Sequence, residues 1–268
     1  MRYLTVLVLA VAGLAPAASV DFNRQVAVVV VDDNALDMGP GPATAKSAMD
    51  ALRAAVYDRN QTVAQYLAMH PVAERKLGRV TLDWRKGETR YLSDGTASTE
   101  YFYSYTGPFL NVVLPATGNG RLVGKAACPC CGQAWPADRE PPTGVKLVPM
   151  EVDGPTSYTG ILVDAGGLGL SPALFPRVVT EDGREVVGPG FADPSAMAER
   201  GQARYFSSRI EASADDRVGY SPLVVRALRV AGTNNCDLVV SQYDAGRIHG
   251  SRNTVKLLAD CRIGILTQ

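Results

Sequence analysis

Three cysteines stand within four residues near the middle of the chain, in the segment Cys128-Pro129-Cys130-Cys131-Gly132. Cys128 and Cys131 have the C-P-x-C-G spacing that in zinc ribbons brings two thiolates to one metal, with the glycine letting the backbone fold back. Cys128, Cys130 and Cys131 are therefore candidate metal ligands, with zinc as the candidate ion, although we expect the segment mainly to organise a local loop.

Two other interpretations of this cysteine segment stay open. A structural zinc site has four ligands, and the sequence has no second C-x-x-C pair, so only Cys236 and Cys261 are left to complete it. A Cys128–Cys131 disulfide would simply staple the loop, with Cys130 as the odd thiol. The third interpretation is a thiol-redox pair. Pro136 and the lack of a helical pattern after the cysteines argue against a redox pair.

Cys236 and Cys261 each precede a short apolar run with strand character, residues 237–240 and 262–266. If these strands are neighbours, the two thiols lie within reach of one another. An oxidising compartment would then favour a Cys236–Cys261 disulfide, and the alternative is a pair of buried free thiols.

Candidates for acid–base chemistry are few. The chain has two histidines: His70 precedes Pro71 at a helix end, and His249 lies in a polar segment. Asp164 and Asp182 could form a carboxylate pair for glycan hydrolysis, but Asp182 occupies a hairpin turn, where carboxylates usually form the turn itself. No G-x-S-x-G motif is present. We therefore assign no catalytic residue and expect no enzyme.

The glycine-rich segment 166–169 follows an apolar strand and invites a dinucleotide-binding interpretation. The third glycine of G-x-G-x-x-G would fall at Pro172, and no helix pattern opens there. We expect these glycines to serve a turn that needs positive φ, and we expect no bound cofactor.

The elements that must position these residues differ between the two halves. In the first half, a β-branched run at 23–31 predicts a strand, and an apolar stripe from Thr44 to Pro71 predicts one helix. Gly and Pro turns then separate four predicted strands, which we expect to form an antiparallel meander: 79–84, 89–92, 97–105 and 109–114.

The second half mixes strands and helices without strict alternation. Predicted strands lie at 158–165, 177–180, 185–187, 223–230, 238–241 and 262–266, and helices at 195–200 and 207–214. Irregular Pro-, Gly- and Cys-rich sequence separates the halves. The fold class is therefore α+β: an N-terminal helix packed on an antiparallel sheet (18–115), a cysteine-bearing connector (116–155) and a second mixed α/β module (156–268).

The first residues carry an export pattern. Arg2 supplies a positive end, residues 4–14 are apolar without charge, and Ala15-Pro16-Ala17 is a small-x-small cleavage site, so 1–17 predicts a signal peptide. The run is too short to span a bilayer, and no cysteine follows it for lipid attachment. We expect a periplasmic or secreted protein with no lipid anchor.

Composition limits the partners. The chain has 27 Lys and Arg residues and 27 Asp and Glu residues, so its formal net charge is zero. It therefore has no net positive charge that would attract nucleic acid or anionic lipid. No later segment is long and apolar enough for a membrane span. We expect other envelope proteins as partners, and the sequence leaves a homo-oligomer open.

Two blocks and a helix resemble a known group of proteins. They are 158–165 with 167–168, 172–174, 176–177, 181–186 and 188; then 221–225, 237–241 and 244–245; and the helix residues 51–55. They resemble uncharacterised exported bacterial proteins and lipoproteins, related to the lipoprotein family that is similar to the N-terminal domain of the flagellar T-ring protein.

The resemblance implies an envelope protein that works by contact near a surface appendage. Gly166 departs from the pattern, which has Arg after Asp-Ala, and the lipid-bearing cysteine is missing. No catalytic residue is established in that family, so none carries over. The predicted function is a non-enzymatic envelope scaffold or interaction module. The alternative is a periplasmic metal-binding or thiol-redox protein that uses Cys128 and Cys131.

Overall fold

The computed structural model describes residues 17–33, 39–93, 96–117, 120–136, 138–150 and 157–268. Apart from Ala17, the predicted signal peptide lies outside the described residues. The chain has an α+β fold, as expected. No helix among the described residues is long and apolar enough to cross a membrane.

The first half places one long helix against an antiparallel sheet. Its elements are β1 (Ala17–Asp21), β2 (Val26–Asp33), α1 (Pro42–Ala54), α2 (Val63–Met69), α3 (Pro71–Leu77), β3 (Trp84–Tyr91), β4 (Ala97–Ser104) and α4 (Pro108–Val113). The sheet order is β1-β2-β4-β3, and α1 packs on β1 and β2. Ala27, Val29, Tyr101 and Tyr103 are buried in its core. The predicted helix on an antiparallel sheet is confirmed.

The single helix expected from Thr44 to Pro71 is wrong, because the chain turns between two helices. Ala55 is extended and ends α1. Asp58 then accepts backbone hydrogen bonds that close a turn, and Thr62 starts α2 through a capping box with Gln65. The apolar stripe is therefore shared by two helices that bury the same core.

The predicted strand at 109–114 is also wrong. Gly107 takes a positive φ of 75° and Pro108 stands at the first turn of a helix, so the segment becomes α4. The strands expected at 79–84 and 89–92 are replaced by one strand, β3, with a register shift between Lys86 and Thr89. Gly87 lies inside that irregularity.

The connector and the second half contain β5 (Ala126–Ala127), β6 (Val148–Pro149), β7 (Ile161–Asp164), β8 (Val178–Thr180), β9 (Glu185–Val187), α5 (Pro194–Arg200), β10 (Arg204–Phe206), α6 (Arg209–Ala214), β11 (Leu223–Arg226), β12 (Arg229–Ala231), β13 (Asp237–Val240), α7 (Gln242–Ile248), α8 (Arg252–Ala259) and β14 (Ile263–Leu266). One sheet, β10-β14-β7-β11, is parallel throughout. A second sheet, β12-β13-β8-β9, is mixed. The predicted β8–β9 hairpin and the helix at 195–200 are confirmed.

Two features of the second half differ from expectation. The strand predicted at 223–230 divides into β11 and β12, which belong to different sheets. Strand β10 and helices α7 and α8 were not predicted. Ser241 and Ser251 cap the N-termini of α7 and α8 by accepting hydrogen bonds from the backbone N–H groups of Asp244 and Thr254. These two serines were the sequence signal for the two helices.

The two halves meet in a common core. Leu174 and Phe175 donate backbone hydrogen bonds of 3.0 and 2.9 Å to the carbonyls of Val56 and Tyr57. The Phe175 and Tyr57 rings pack edge to face. The division at 116–155 stays a prediction, but side chains from both sides of it share one apolar cluster.

Candidate functional site

The cysteine segment forms a tight hairpin between short backbone pairings. The N–H of Cys128 donates to the carbonyl of Gln133, and the N–H of Gly132 donates to the carbonyl of Cys128, both at 2.9 Å. Gly132 has a φ of 72°, which a glycine adopts without strain. A bridge between Ala127 and Ala134 closes the base of the hairpin.

The hairpin favours a thiolate at Cys128. Hydrogen bonds from the backbone of Cys131 and then of Cys130 lower the pKa of the Cys128 thiol, because they stabilise the charged form. Cys128 is half-exposed, and residues 129–134 are all exposed. This is a reachable thiol pair with a defined local geometry.

A complete metal site is not assembled within the described part of the chain. No group of three or more His, Cys, Asp or Glu side chains lies together there in a way that could hold a metal ion. Cys236 and Cys261 are fully buried in the second half and do not complete the hairpin. Metal binding by Cys128, Cys130 and Cys131 therefore stays a prediction.

The expected Cys236–Cys261 disulfide is not formed in the structure, and both thiols are free. Their strands are not neighbours, because β13 belongs to the mixed sheet and β14 to the parallel sheet. Burial raises the pKa of each thiol to about 12. The two side chains act as small apolar residues of the core.

Both histidines are used structurally. His249 does not lie in a polar loop as expected: it is 2% exposed, and its ring stacks obliquely on Phe191. Its two ring nitrogens contact backbone groups of Val123 and Val186, each at 2.8 Å. His70 lies at the end of α2, as predicted, where its Nδ1 contacts the carbonyl of Tyr66 at 2.7 Å.

Asp164 and Asp182 do not form a carboxylate pair in one site. Asp182 is held in the β8–β9 turn by Thr180, Arg184 and Gln242, and the Thr180 hydroxyl is the main reason that its pKa is lowered. Asp164 ends β7 and accepts a 2.9 Å hydrogen bond from Arg209, which lowers its pKa. Each carboxylate therefore has its own local cationic partner.

Asp164 lies at the carboxyl edge of the parallel sheet, a position where α/β proteins often bind ligands. Arg226 is its register partner on β11, and the N–H of Gly166 donates to it at 3.1 Å. The resemblance led us to expect an arginine after Asp-Ala. Here Gly166 packs against Gln268, and Arg209 from α6 supplies the guanidinium instead.

The outer face of the first sheet is a surface that the sequence did not reveal. Ser19, Val28, Phe102 and Arg85 form one cross-strand row over β1, β2, β4 and β3. All four side chains are at least partly exposed, whereas their neighbours Ala27, Val29, Tyr101 and Tyr103 are buried on the other face. The sheet therefore covers its core with one face and leaves the other open.

Phe102 lies at the centre of this outer face between two guanidinium groups. Arg24 and Arg85 lie over its ring, 5.4 and 5.3 Å from the centroid, in cation–π contact. Gly87 makes room for the ring, since a Cβ there would lie 2.5 Å from it. The residues around it line a hollow of about 570 Å³: Arg24, Arg85, Lys86, Gly87, Glu88, Arg90, Glu100 and Phe102.

Sequence reasoning missed this face for a physical reason. The run 26–31 is uniformly apolar, so it does not show which residues point outward. A glycine inside a strand, Gly87, was the available signal, because such glycines often mark a close approach of another group.

The second half of the chain is similar to one uncharacterised domain family. The family model for the second domain of Treponema pallidum Tp0624 matches residues 160–268, which run from β7 to β14. A search of curated proteins found no match. Neither comparison links the chain to the T-ring-related lipoproteins, so that resemblance stays a prediction.

Proposed function

We propose that this chain is an exported cell-envelope protein that acts as a non-enzymatic scaffold or interaction module. Its partner would bind the outer face of the first sheet, where Phe102 lies between Arg24 and Arg85. The single observation that supports this most is the placement of an aromatic ring and two guanidinium groups on a sheet face that does not pack on the core. Aromatic and arginine side chains are those that contribute most to interfaces.

The charge of this face defines the partner expected there. Arg24, Arg85, Lys86 and Arg90 line the hollow, with Glu88 and Glu100 as the acidic residues. The Arg24–Asp21 and Arg90–Glu88 pairs are exposed, at 3.7 and 3.6 Å, so each stabilises the fold little. Arg24 and Arg90 are therefore available to a partner, and we expect an envelope protein that presents carboxylates around an apolar centre.

The non-enzymatic part of the proposal is supported by how the acid–base side chains are used. Both ring nitrogens of His249 form hydrogen bonds with backbone groups, and Asp164 and Asp182 each form an ion pair with an arginine. A general base needs a free lone pair aimed at a substrate.

The location is part of the same proposal. The export pattern of 1–17 supports a periplasmic or secreted chain, and the resemblance of 158–188 to T-ring-related lipoproteins supports a position near a flagellar or other surface structure. Fractionation of the cells that make the protein tests the compartment. Recovery of the chain in the cytoplasm with Met1 retained would contradict export.

The test of the binding face is a pair of matched charge reversals. The wild-type chain, Arg24→Glu/Arg85→Glu and a control, Lys46→Glu/Arg79→Glu, are purified from cross-linked envelopes. Lys46 and Arg79 are exposed residues away from the hollow, so the control changes the net charge equally. We expect the face variant to lose the partners that the wild type and the control retain. Equal recovery by all three chains would contradict the proposal.

The cysteine hairpin supports a second candidate function, a periplasmic metal-binding or thiol-redox protein. The specific observation is the pair of a half-exposed Cys128 and an exposed Cys131, with the pKa of the Cys128 thiol lowered by hydrogen bonds from the backbone of Cys131 and Cys130. Thiol titration and metal analysis of the protein purified from its native compartment test this function. A fully reduced, metal-free protein that exchanges no disulfide would contradict it.

A further inference from the structure

A cleft lies between the connector and the β8–β9 hairpin, and it shares no lining residue with the hollow of the outer sheet face. Its volume is about 510 Å³, a size typical of small-molecule sites. The charged residues that line this arginine cleft are Arg121, Arg177, Arg184 and Glu185. Three guanidinium groups and one carboxylate give the lining a net positive charge.

Two of these arginines are placed by the hairpin itself. Arg177 directly precedes β8, and Arg184 directly precedes β9, so both stand at the same end of the mixed sheet's edge. The Arg184 Nε donates to Asp182 and one Nη donates to Gln242, both at 2.9 Å. These contacts hold the guanidinium in place and use only part of its hydrogen-bonding capacity.

The third arginine comes from the connector, which is fixed on both sides of it. On one side, the N–H of Gly120 donates to the carbonyl of Gly190 at 2.9 Å. On the other side, the N–H of Val123 donates to the Nδ1 of His249 at 2.8 Å. Arg121 lies between these two anchors. The backbone that carries it is therefore ordered before any ligand binds, which favours affinity.

Arg177 has hydrogen-bonding capacity that no described group uses. Its Nε is buried and has no hydrogen-bond partner among the described residues. Its Nη1 lies 3.6 Å from the Oε2 of Glu185, longer than an ordinary N–H···O hydrogen bond. Glu185 instead accepts a 3.0 Å hydrogen bond from the N–H of Gly190. A half-buried guanidinium with so few hydrogen bonds is suited to bind an oxyanion.

We propose that the arginine cleft binds a small phosphate monoester, with its phosphate between Arg121, Arg177 and Arg184. The fork of a guanidinium matches the oxygens of a phosphate in a bidentate geometry. A phosphate monoester carries about two negative charges at neutral pH, which matches the excess of cations in the lining. This site goes beyond the proposed scaffold function and does not depend on it.

The cleft also has room for the organic part of such a ligand. A volume of about 510 Å³ is far larger than one phosphate group, so the ester substituent fits beside it. The Glu185 carboxylate, held by the Gly190 N–H, presents an acceptor for a hydroxyl group. A polyol or sugar phosphate therefore suits the lining better than an apolar ester.

The experiment titrates the full chain by isothermal calorimetry, at one ionic strength, with three probes. Glycerol phosphate represents the monoester, inorganic phosphate represents the free ion, and succinate carries a similar charge on carboxylates. We expect glycerol phosphate to bind most tightly, and we expect its binding to weaken as salt is added.

Single substitutions then test the three arginines. We expect Arg121→Gln, Arg177→Gln and Arg184→Gln each to weaken the binding of glycerol phosphate about tenfold or more. Arg229→Gln is the matched control, because it removes the same charge from an exposed position on β12, at the opposite edge of the mixed sheet from β9. Circular dichroism checks the fold of each variant. Arg121 and Arg184 are exposed, so their variants decide the question even if Arg177→Gln does not fold.

Three results would overturn the proposal. The first is no binding of glycerol phosphate by the wild type. The second is binding by the cleft variants that equals binding by Arg229→Gln. The third is inorganic phosphate or succinate that binds as tightly as glycerol phosphate, which would replace the monoester by the free ion or by a dicarboxylate.

Discussion

The Nδ1 atom of His249 accepts a 2.8 Å hydrogen bond from the backbone N–H of Val123. The Nε2–H of the same ring donates to the carbonyl of Val186 at 2.8 Å. One neutral imidazole thereby ties the connector to the hairpin of the second half. Burial lowers the pKa of His249 to about 4, because an imidazolium could satisfy neither solvation nor the Val123 N–H.

Protonation of His249 should weaken the fold at mildly acidic pH. Its folded pKa lies below the unfolded value of about 6.5, so its contribution is complete above pH 6.5 and is lost as pH falls toward 4. We expect the free energy of unfolding of the wild type to fall by about 3 kcal/mol relative to that of His249→Ala over this range. Urea unfolding of both chains from pH 7.5 to 4 measures the difference. An unchanged difference would show that His249 does not titrate in this way.

His249→Ala should also destabilise the chain at neutral pH. It leaves the Val123 N–H and the Val186 carbonyl buried without partners, which costs about 2 to 4 kcal/mol. His70→Ala is the control, because that ring is exposed and makes one hydrogen-bond contact at a helix end. Comparable losses for both variants would contradict the structural role assigned to His249.

Among the ion pairs of the described residues, Arg59–Asp237 should be the most costly to break. Asp237 is fully buried and its pKa is raised by burial, while Arg59 lies 2.8 Å from its Oδ2. Arg59→Ala would leave that carboxylate buried without its cation. We expect this to lower the free energy of unfolding by about 3 kcal/mol at pH 7. Because a protonated Asp237 needs no cation, the cost should shrink as pH falls. Urea unfolding at several pH values measures it.

Arg184→Ala is the matched control for that pair. Its 2.9 Å contact with Asp182 is half-exposed on both sides and screened by solvent, so we expect a much smaller loss than for Arg59→Ala. Equal costs for Arg59→Ala and Arg184→Ala, or a cost for Arg59→Ala that does not depend on pH, would refute the buried-charge argument.

Gly87→Ala should disturb the outer sheet face specifically. The new Cβ would lie 2.5 Å from the Phe102 ring, which must move, at a cost of about 1 to 3 kcal/mol. In a Phe102→Ala background the same change should cost much less. Gly246→Ala is the control: nothing lies within 4 Å of its Cβ position in α7, so helix propensity should raise stability slightly. Chemical denaturation of the variants decides between these outcomes.

The five cysteines should separate into two classes of reactivity. Cys128, Cys130 and Cys131 are at least partly exposed, whereas Cys236 and Cys261 are buried with thiol pKa values raised to about 12. In the native reduced chain we expect alkylation of the first three alone, and of all five after unfolding. Peptide mapping locates the modified residues. A Cys236–Cys261 linked peptide would contradict the separate sheets described here.

Local signals in the sequence predicted some elements well, and others depended on contacts that no local pattern shows. The β8–β9 hairpin follows from the turn signal Asp182-Gly183. The boundary between β11 and β12 could not be predicted. Ala227 and Leu228 are apolar, so the strand pattern continues across the point where the chain passes from one sheet to the other. The cysteine hairpin was visible in its spacing, whereas the position of Phe102 between Arg24 and Arg85 depends on pairing across strands far apart in sequence.

The central claim is that the chain works by contact through the outer face of its first sheet. A photoreactive amino acid at Glu88, which lines the hollow, tests it most directly in the cells that make the protein. Tyr220, 87% exposed in the second half, is the control position. We predict a discrete cross-linked partner from position 88 that is lost with Arg85→Glu and is absent from position 220. No cross-link from position 88, or one that persists with Arg85→Glu, would contradict the claim.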